Sequence, residues 1–139
     1  MGKTKIAING FGRIGRNAFK IAYERSDIEV VAVNDLTDNK TLAYLLKYDS
    51  NYGTYGHDVA ATDDGLTVGD THVKVLAEKD PAVLPWKELG VDLVIESTGF
   101  FTDKEGASKH ITAGAKRVVI SGPTKSEGVD TIVIGANDD

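Results

Sequence analysis

An α/β fold built on a doubly wound, mostly parallel sheet is the architecture this sequence predicts, and three observations carry that reading. Short apolar runs rich in β-branched residues alternate along the chain with stretches of helical periodicity. The runs are nearly continuous rather than alternating, as in Glu29-Val-Val-Ala-Val-Asn-Asp35, which suits strands covered on both faces. One block departs from the pattern. Around residues 57–77 the chain alternates in short pieces with turn residues at Asp63-Asp64-Gly65 and Gly69-Asp70, so a small antiparallel insert is expected inside the parallel frame.

Taken in order, Lys5 to Asn9 reads as the first strand, and it enters a turn containing Gly10, Gly12 and Gly15. A helix leaves that turn: Ile14, Ala18, Ile21 and Ala22 recur at helical spacing and are expected to face the sheet, with Arg16, Lys20 and Glu24 outward. Glu29 to Asp35 is the second strand. Asp38 to Lys47 is a helix with Leu42, Leu45 and Leu46 on one face and Thr37 or Asp38 as its N-cap. Asp49 to Gly56 is a turn-rich link, and Pro81 to Leu89 a short helix containing Trp86. Asp92 to Gly99 is a buried strand that ends in small polar residues. A helix capped by Thr102 or Asp103 runs through Ala113 and stops at Gly114, followed by a strand at Arg117 to Ser121. Thr131 to Gly135, beyond the loop of residues 122–130, is expected to be a last strand.

The glycine turn has the spacing of a Rossmann-type dinucleotide fingerprint in its required context of strand, turn and helix. Gly10 permits the turn, Gly12 lets the backbone approach a pyrophosphate with no Cβ in the way, and Gly15 lets the helix pack closely. The pyrophosphate would lie at the positive end of the helix, against N–H groups without intrahelical partners. Asp35 lies twenty residues beyond Gly15, where a carboxylate can accept hydrogen bonds from ribose hydroxyls. A 2′-phosphate there would meet a like charge, and no Arg lies between Leu36 and Asn39, so NAD is favoured over NADP; Lys40 is the nearest cation. Ligands in such sheets bind beyond the carboxyl ends of strands. That rule selects Asn9, Gly10, Phe11 and Gly12, then Asn34 and Asp35, then Ser97, Thr98 and Gly99, then Ser121 and Gly122.

Composition narrows the alternatives. The 139 residues suffice for one domain, 1–139, without an internal repeat or linker. A net charge of -5 argues against nucleic acid as a partner. No apolar stretch is long enough for a membrane helix, and no signal-peptide pattern opens the chain, so a cytoplasmic location is expected. Cysteine is absent, which removes disulfides, thiolate metal sites and thiol catalysis from these residues. His57, His72 and His110 show no ligand spacing or paired acid and read as surface or structural, with no metal expected. Trp86 reads as a packing anchor, and Asp63-Asp64 as a hairpin turn rather than a metal pair.

Several spaced motifs carry a wider likeness: Ile8-Asn-Gly-Phe-Gly-Arg-Ile-Gly-Arg16, Val33-Asn-Asp-Leu36, Leu46-Lys-Tyr-Asp-Ser50, Asp80-Pro-Ala-Val-Leu-Pro-Trp86, Glu96-Ser-Thr-Gly-Phe-Phe101 and Lys125-Ser-Glu-Gly-Val-Asp-Thr131. Over its whole length the chain resembles glyceraldehyde-3-phosphate dehydrogenase, in the amino-terminal, NAD-binding part. The resemblance implies that the backbone of Arg13 and Ile14 holds the pyrophosphate and that Asp35 holds the adenosine ribose. It places Lys79 by the adenine end, Thr98, Gly99 and Phe101 along the path to nicotinamide, and Ser121 at the far wall. It also implies a phosphorylating oxidation of an aldehyde in glycolysis, in a homotetramer. Two departures are local, Ser121-Gly122-Pro123 for the common Ser-Ala-Pro and Tyr52-Gly53 for the common His-Gly. A larger one is the want of the catalytic cysteine motif and of the domain that takes the sugar phosphate. The chain is therefore expected to be a fragment that binds NAD without turnover, its partner being the catalytic domain or a second chain carrying it. A free-standing NAD-sensing or partner-binding module is the alternative from another class. The cofactor domain of an erythrose-4-phosphate dehydrogenase is the alternative within the same class.

Overall fold

The computed structural model describes residues 2–138. Its elements follow the predicted alternation: β1 (Thr4–Asn9), α1 (Arg13–Tyr23), β2 (Ile28–Asn34), α2 (Asn39–Lys47), then two very short strands, β3 (Tyr48–Asp49) and β4 (Gly53–Thr54). The insert supplies β5 (Val59–Ala61), β6 (Gly65–Val68) and β7 (Thr71–Leu76). A 3₁₀ turn (Pro81–Val83) and α3 (Trp86–Leu89) lead to β8 (Leu93–Glu96), α4 (Lys104–Thr112) and β9 (Arg117–Ile120).

Seven strands form one sheet in the order β5-β6-β7-β2-β1-β8-β9. The pairs β7-β2, β2-β1, β1-β8 and β8-β9 are parallel, while β5, β6 and β7 pair antiparallel. The insert is thus no separate flap: β7 continues the parallel sheet and carries the hairpin at its edge. Outside this sheet, the link after α2 closes a two-stranded ribbon, β3 with β4, which the turn-rich composition had concealed.

Alternation along β1 divides the core. Ile6 and Ile8 face Phe19 and Ala22 of α1, Leu42 and Leu46 of α2, and Leu66, Val68 and Val73 of the hairpin. Ala7 faces the other way, with Ala32 and Val94, against Leu84, Trp86, Val91 and Ala115. Helices therefore cover both faces, as a doubly wound sheet requires. Caps set the helix starts: Asp38 accepts from the Thr41 N–H at 3.0 Å and Asp103 from the Gly106 N–H at 2.7 Å.

Two expectations are corrected. The inward stripe of α1 is Gly15, Phe19 and Ala22, whereas Ile14 and Ile21 are 57% and 69% exposed. Phe19 replaces them because its ring reaches the sheet from the helix flank, stacking on Tyr23 and meeting Phe11 edge-on. The strand expected at Thr131 to Gly135 does not form. Its apolar residues lack a neighbouring strand, and the backbone is taken up locally: the Val133 N–H donates to Asn137 Oδ1 at 2.6 Å and the Ala136 N–H to the Val133 carbonyl at 2.9 Å. Strand propensity without a hydrogen-bonding neighbour does not make a strand.

Candidate functional site

The carboxyl ends of the strands are level. Asn34, Asn9, Glu96 and Ile120 stand in register across β2, β1, β8 and β9. The ladder then continues one residue beyond each strand: Gly10 N–H donates to the Asn34 carbonyl at 2.8 Å, Ser97 N–H to Asn9 at 2.8 Å, Ser121 N–H to Glu96 at 2.9 Å and Asp35 N–H to Leu76 at 2.9 Å. Residues at the mouth of the sheet are therefore fixed through the main chain of their neighbours. From β1 the chain winds first towards β2 and β7, then returns to β8 on the opposite side, so β1 and β8 flank the topological switch point where ligands bind in such sheets.

The three glycines of the turn serve different ends. Gly10 has φ of 91°, and a Cβ on it would lie 2.7 Å from the Thr98 nitrogen. A Cβ on Gly15 would collide with the Gly10 carbonyl oxygen, so α1 can sit this close only without a side chain there. Ser97 Oγ secures the same contact by donating to that carbonyl at 2.7 Å. Around Gly12, by contrast, a Cβ would meet nothing within 4 Å. Gly12 is the N-cap of α1 and supplies no side-chain cap, and the first helical bond runs from Arg16 N–H to its carbonyl at 2.9 Å. The opening turn therefore has no side-chain cap at the positive end of the helix, the arrangement that receives a phosphate.

Asp35 stands beside this turn, half-buried, and its carboxylate accepts from Phe11 N–H at 2.8 Å and Thr37 N–H at 2.9 Å. Arg16 Nη1 donates to the Phe11 carbonyl at 3.0 Å. An anion at the helix terminus and hydroxyls at Asp35 are the two chemistries these groups fit, which are those of a dinucleotide. Lys40 lies elsewhere, on a groove between α2 and β5.

A row of polar side chains is buried beneath the turn. Asn9, Asn34, Glu96 and His110 are 2%, 4%, 2% and 0% exposed. Asn34 clamps Glu78 at both main-chain groups, at 2.9 Å each, and donates to Asn9 Oδ1 at 2.8 Å. Asn9 Nδ2 donates to Glu96 Oε1 at 2.6 Å. The amides of Asn9 and Asn34, both expected at the ligand, are spent inside the protein and shape the site through the loops they hold. Glu96 and His110 escaped sequence reading as site residues. The signals existed: Glu96 shares the alternation of buried Val94, and His110 falls on the buried face of α4 with Gly106 and Ala107.

Across the mouth, the expected residues lie in the order Lys79, Asp35, Gly10 to Ile14, Thr98 and Gly99, Ser121, following the strands they succeed. Lys79 is exposed beside the clamped Glu78. Thr98 is tied to Glu96 Oε2 by its N–H at 3.0 Å and its hydroxyl at 2.7 Å. Phe101 rests against α4 with the Lys109 ammonium 5.6 Å over its ring, while Phe100 is the outward aromatic at 85% exposure. Ser121 lies at the edge of a separate groove of about 720 Å³ between α4, β9 and residues 121–132; that groove touches none of the glycine turn.

The histidines also need correction, because each has an acid partner: His57 Nε2 lies 2.6 Å from Glu24, His72 Nε2 3.0 Å from Asp64 and His110 Nε2 2.8 Å from Glu96. Among the described residues no cluster of three His, Cys, Asp or Glu could hold a metal, and no helix is long and apolar enough to cross a membrane.

Comparison with known proteins agrees with this geometry. The family described as "Glyceraldehyde 3-phosphate dehydrogenase, NAD binding domain" matches residues 4–104. The glyceraldehyde-3-phosphate dehydrogenase of Thermotoga maritima is 57% identical over 138 residues, which are 98% of this chain and 41% of the relative. That of Geobacillus stearothermophilus is 56% identical, covering 98% of this chain and 40% of the relative. A chloroplastic form from Gracilaria gracilis is 51% identical, covering 98% and 33%. The chain thus spans about two fifths of the first two relatives' length. It belongs to the glyceraldehyde-3-phosphate dehydrogenase family and carries that family's NAD-binding domain.

Proposed function

We propose that the crevice holds NAD extended across five strand ends, as the cofactor-binding part of a phosphorylating glyceraldehyde-3-phosphate dehydrogenase. Four steps of about 4.8 Å between strands give roughly 19 Å, room for a dinucleotide laid along the sheet. The adenine lies on the Lys79 side, and the ribose hydroxyls donate to Asp35. The pyrophosphate accepts from the N–H groups of Arg13 and Ile14, with Phe11 and Gly12 leaving it space. The nicotinamide end lies towards Thr98, Gly99 and Phe101, with Ser121 beyond. The carboxylate of Asp35 disfavours a 2′-phosphate by like charge. The observation that carries this reading is Gly12, open on its Cβ side at an uncapped helix terminus beside Asp35.

Bound NAD supplies a hydride acceptor, while oxidation of the aldehyde to an acyl phosphate needs a thiolate nucleophile. The 139 residues contain no Cys, so they bind and orient the cofactor, and the thiol comes from a catalytic domain or a second chain in a cytoplasmic homotetramer. The test is direct. The purified chain is titrated with NAD by calorimetry and then incubated with glyceraldehyde 3-phosphate, phosphate and NAD. Saturable binding with no rise in NADH absorbance is expected; NADH production by the chain alone overturns the division of labour, and absence of NAD binding overturns the site.

A further inference from the structure

Resting on the NAD reading of the crevice, we propose that Glu96, oriented by His110, is a positioning residue: one buried anion that holds both walls of the crevice in place. Its side chain and that of His110 are 1% and 0% exposed, and four hydrogen bonds converge on the carboxylate. Asn9 Nδ2 at 2.6 Å and His110 Nε2 at 2.8 Å meet Oε1, while Thr98 N–H at 3.0 Å and Thr98 Oγ1 at 2.7 Å meet Oε2.

All four partners are donors. Trp86 Nε1 lies 2.9 Å from His110 Nδ1, and an indole N–H can only donate. Nδ1 is therefore the bare nitrogen, and the ring proton resides on Nε2, facing Glu96. The imidazole is neutral. Thr98 Oγ1 accepts from the Phe100 N–H at 3.1 Å, which leaves its own proton for Glu96. The other walls are reached through Asn9, whose Oδ1 accepts from Asn34, whose amide in turn clamps Glu78 beside Lys79. Loops on the two sides of the glycine turn thus hang from the same carboxylate. Burial pushes the Glu96 carboxyl up, but the bonds from His110, Thr98 and Asn9 outweigh that and hold it below its ordinary range.

An anion satisfies all four of these donors at once. In Glu96→Gln the volume is kept, but an NH₂ in place of Oε1 meets two fixed donors, Asn9 Nδ2 and His110 Nε2, and in place of Oε2 it meets the fixed Thr98 N–H, where only the hydroxyl can turn to accept. His110 cannot relieve the conflict by moving its proton without orphaning the buried indole. The NH₂ therefore settles towards Thr98, so that Asn9 and His110 keep an acceptor and the Thr98 loop is the element released.

The experiment compares wild type and E96Q for NAD and for AMP, which lacks the nicotinamide half. The expected result is NAD affinity reduced about tenfold or more, since the charge-assisted bond from the Thr98 N–H is lost and the rest lose their charge, with AMP reduced less than about threefold because the Asn9 link is kept. Trp86 is the sole Trp, so its single indole N–H resonance is a second readout: NAD should shift it in wild type although the ring is buried, and not in E96Q. Equal loss for both ligands, or a stationary indole signal in wild type saturated with NAD, overturns the positioning role. Wild type that binds no NAD overturns the cofactor reading itself, and this role with it. Where E96Q does not fold, His110→Leu removes a donor that lies outside the proposed ligand contacts; weaker NAD in the folded variant supports the proposal, and unchanged NAD overturns it.

Discussion

The glycine turn and the polar row beneath it occupy adjacent layers of one crevice, yet they treat their hydrogen-bonding groups in opposite ways. At the turn, the N–H groups of α1 are left without a side-chain cap and Gly12 has empty space on its Cβ side. In the row, Asn34, Asn9, His110 and Trp86 each donate to a partner, and Glu96 accepts from Asn9, from His110 and twice from Thr98. Groups meant for a ligand must be unsatisfied without it, and the layer that aims them must be satisfied always, because a buried unpaired group costs about 1–3 kcal/mol. Openness above is sustained by closure below.

Substitutions that blur this division should have the largest effects. Gly15→Ala drives a methyl into the Gly10 carbonyl and is expected to cost about 3 kcal/mol, read as a lower thermal midpoint with NAD binding lost. Trp86→Phe removes the indole N–H from His110 Nδ1 and leaves a buried acceptor bare, at a cost of about 2 kcal/mol in chemical denaturation. Gly12→Ala tests the contrast from the other side. With nothing within 4 Å of the added methyl, stability should stay within about 0.5 kcal/mol of wild type while NAD affinity falls about tenfold.

Acid should separate the two layers as well. The carboxyl of Glu96 is held below its ordinary 4.5 in the folded chain, so its contribution to stability is complete above that value and is lost as pH falls through the lower folded value. Denaturation measured at successive pH values should show stability declining below about pH 4.5. The smallest effect is expected at the rim, where Glu24→Gln removes the charge from an exposed contact with His57 and should change stability by less than about 1 kcal/mol.

What was legible in the sequence follows the same division. Gly10, Gly12, Gly15 and Asp35 are readable because main-chain geometry permits few residues at those places and the chain brings them together over a short span. For Glu96 and His110 the pattern signalled burial but not the role, because that depends on contacts between α3, α4, β1 and β8 that are up to 101 residues apart. The expected strand at Thr131 to Gly135 failed for a related reason: a β-branched run reports a preference, and no neighbouring strand pairs with it in the fold. Ile14 and Ile21 misled the helix reading because size and periodicity outranked Phe19, whose ring alone reaches both Phe11 and Tyr23.

Backbone amide resonances followed during NAD titration test the central claim most directly. The account predicts the largest shifts at Gly12, Arg13, Ile14 and the Phe11 N–H that bonds Asp35, with smaller ones at Thr98 and Gly99. Shifts concentrated at Ile111, Val119 and Ile132 in the groove beside β9, with the glycine turn unmoved, would contradict it.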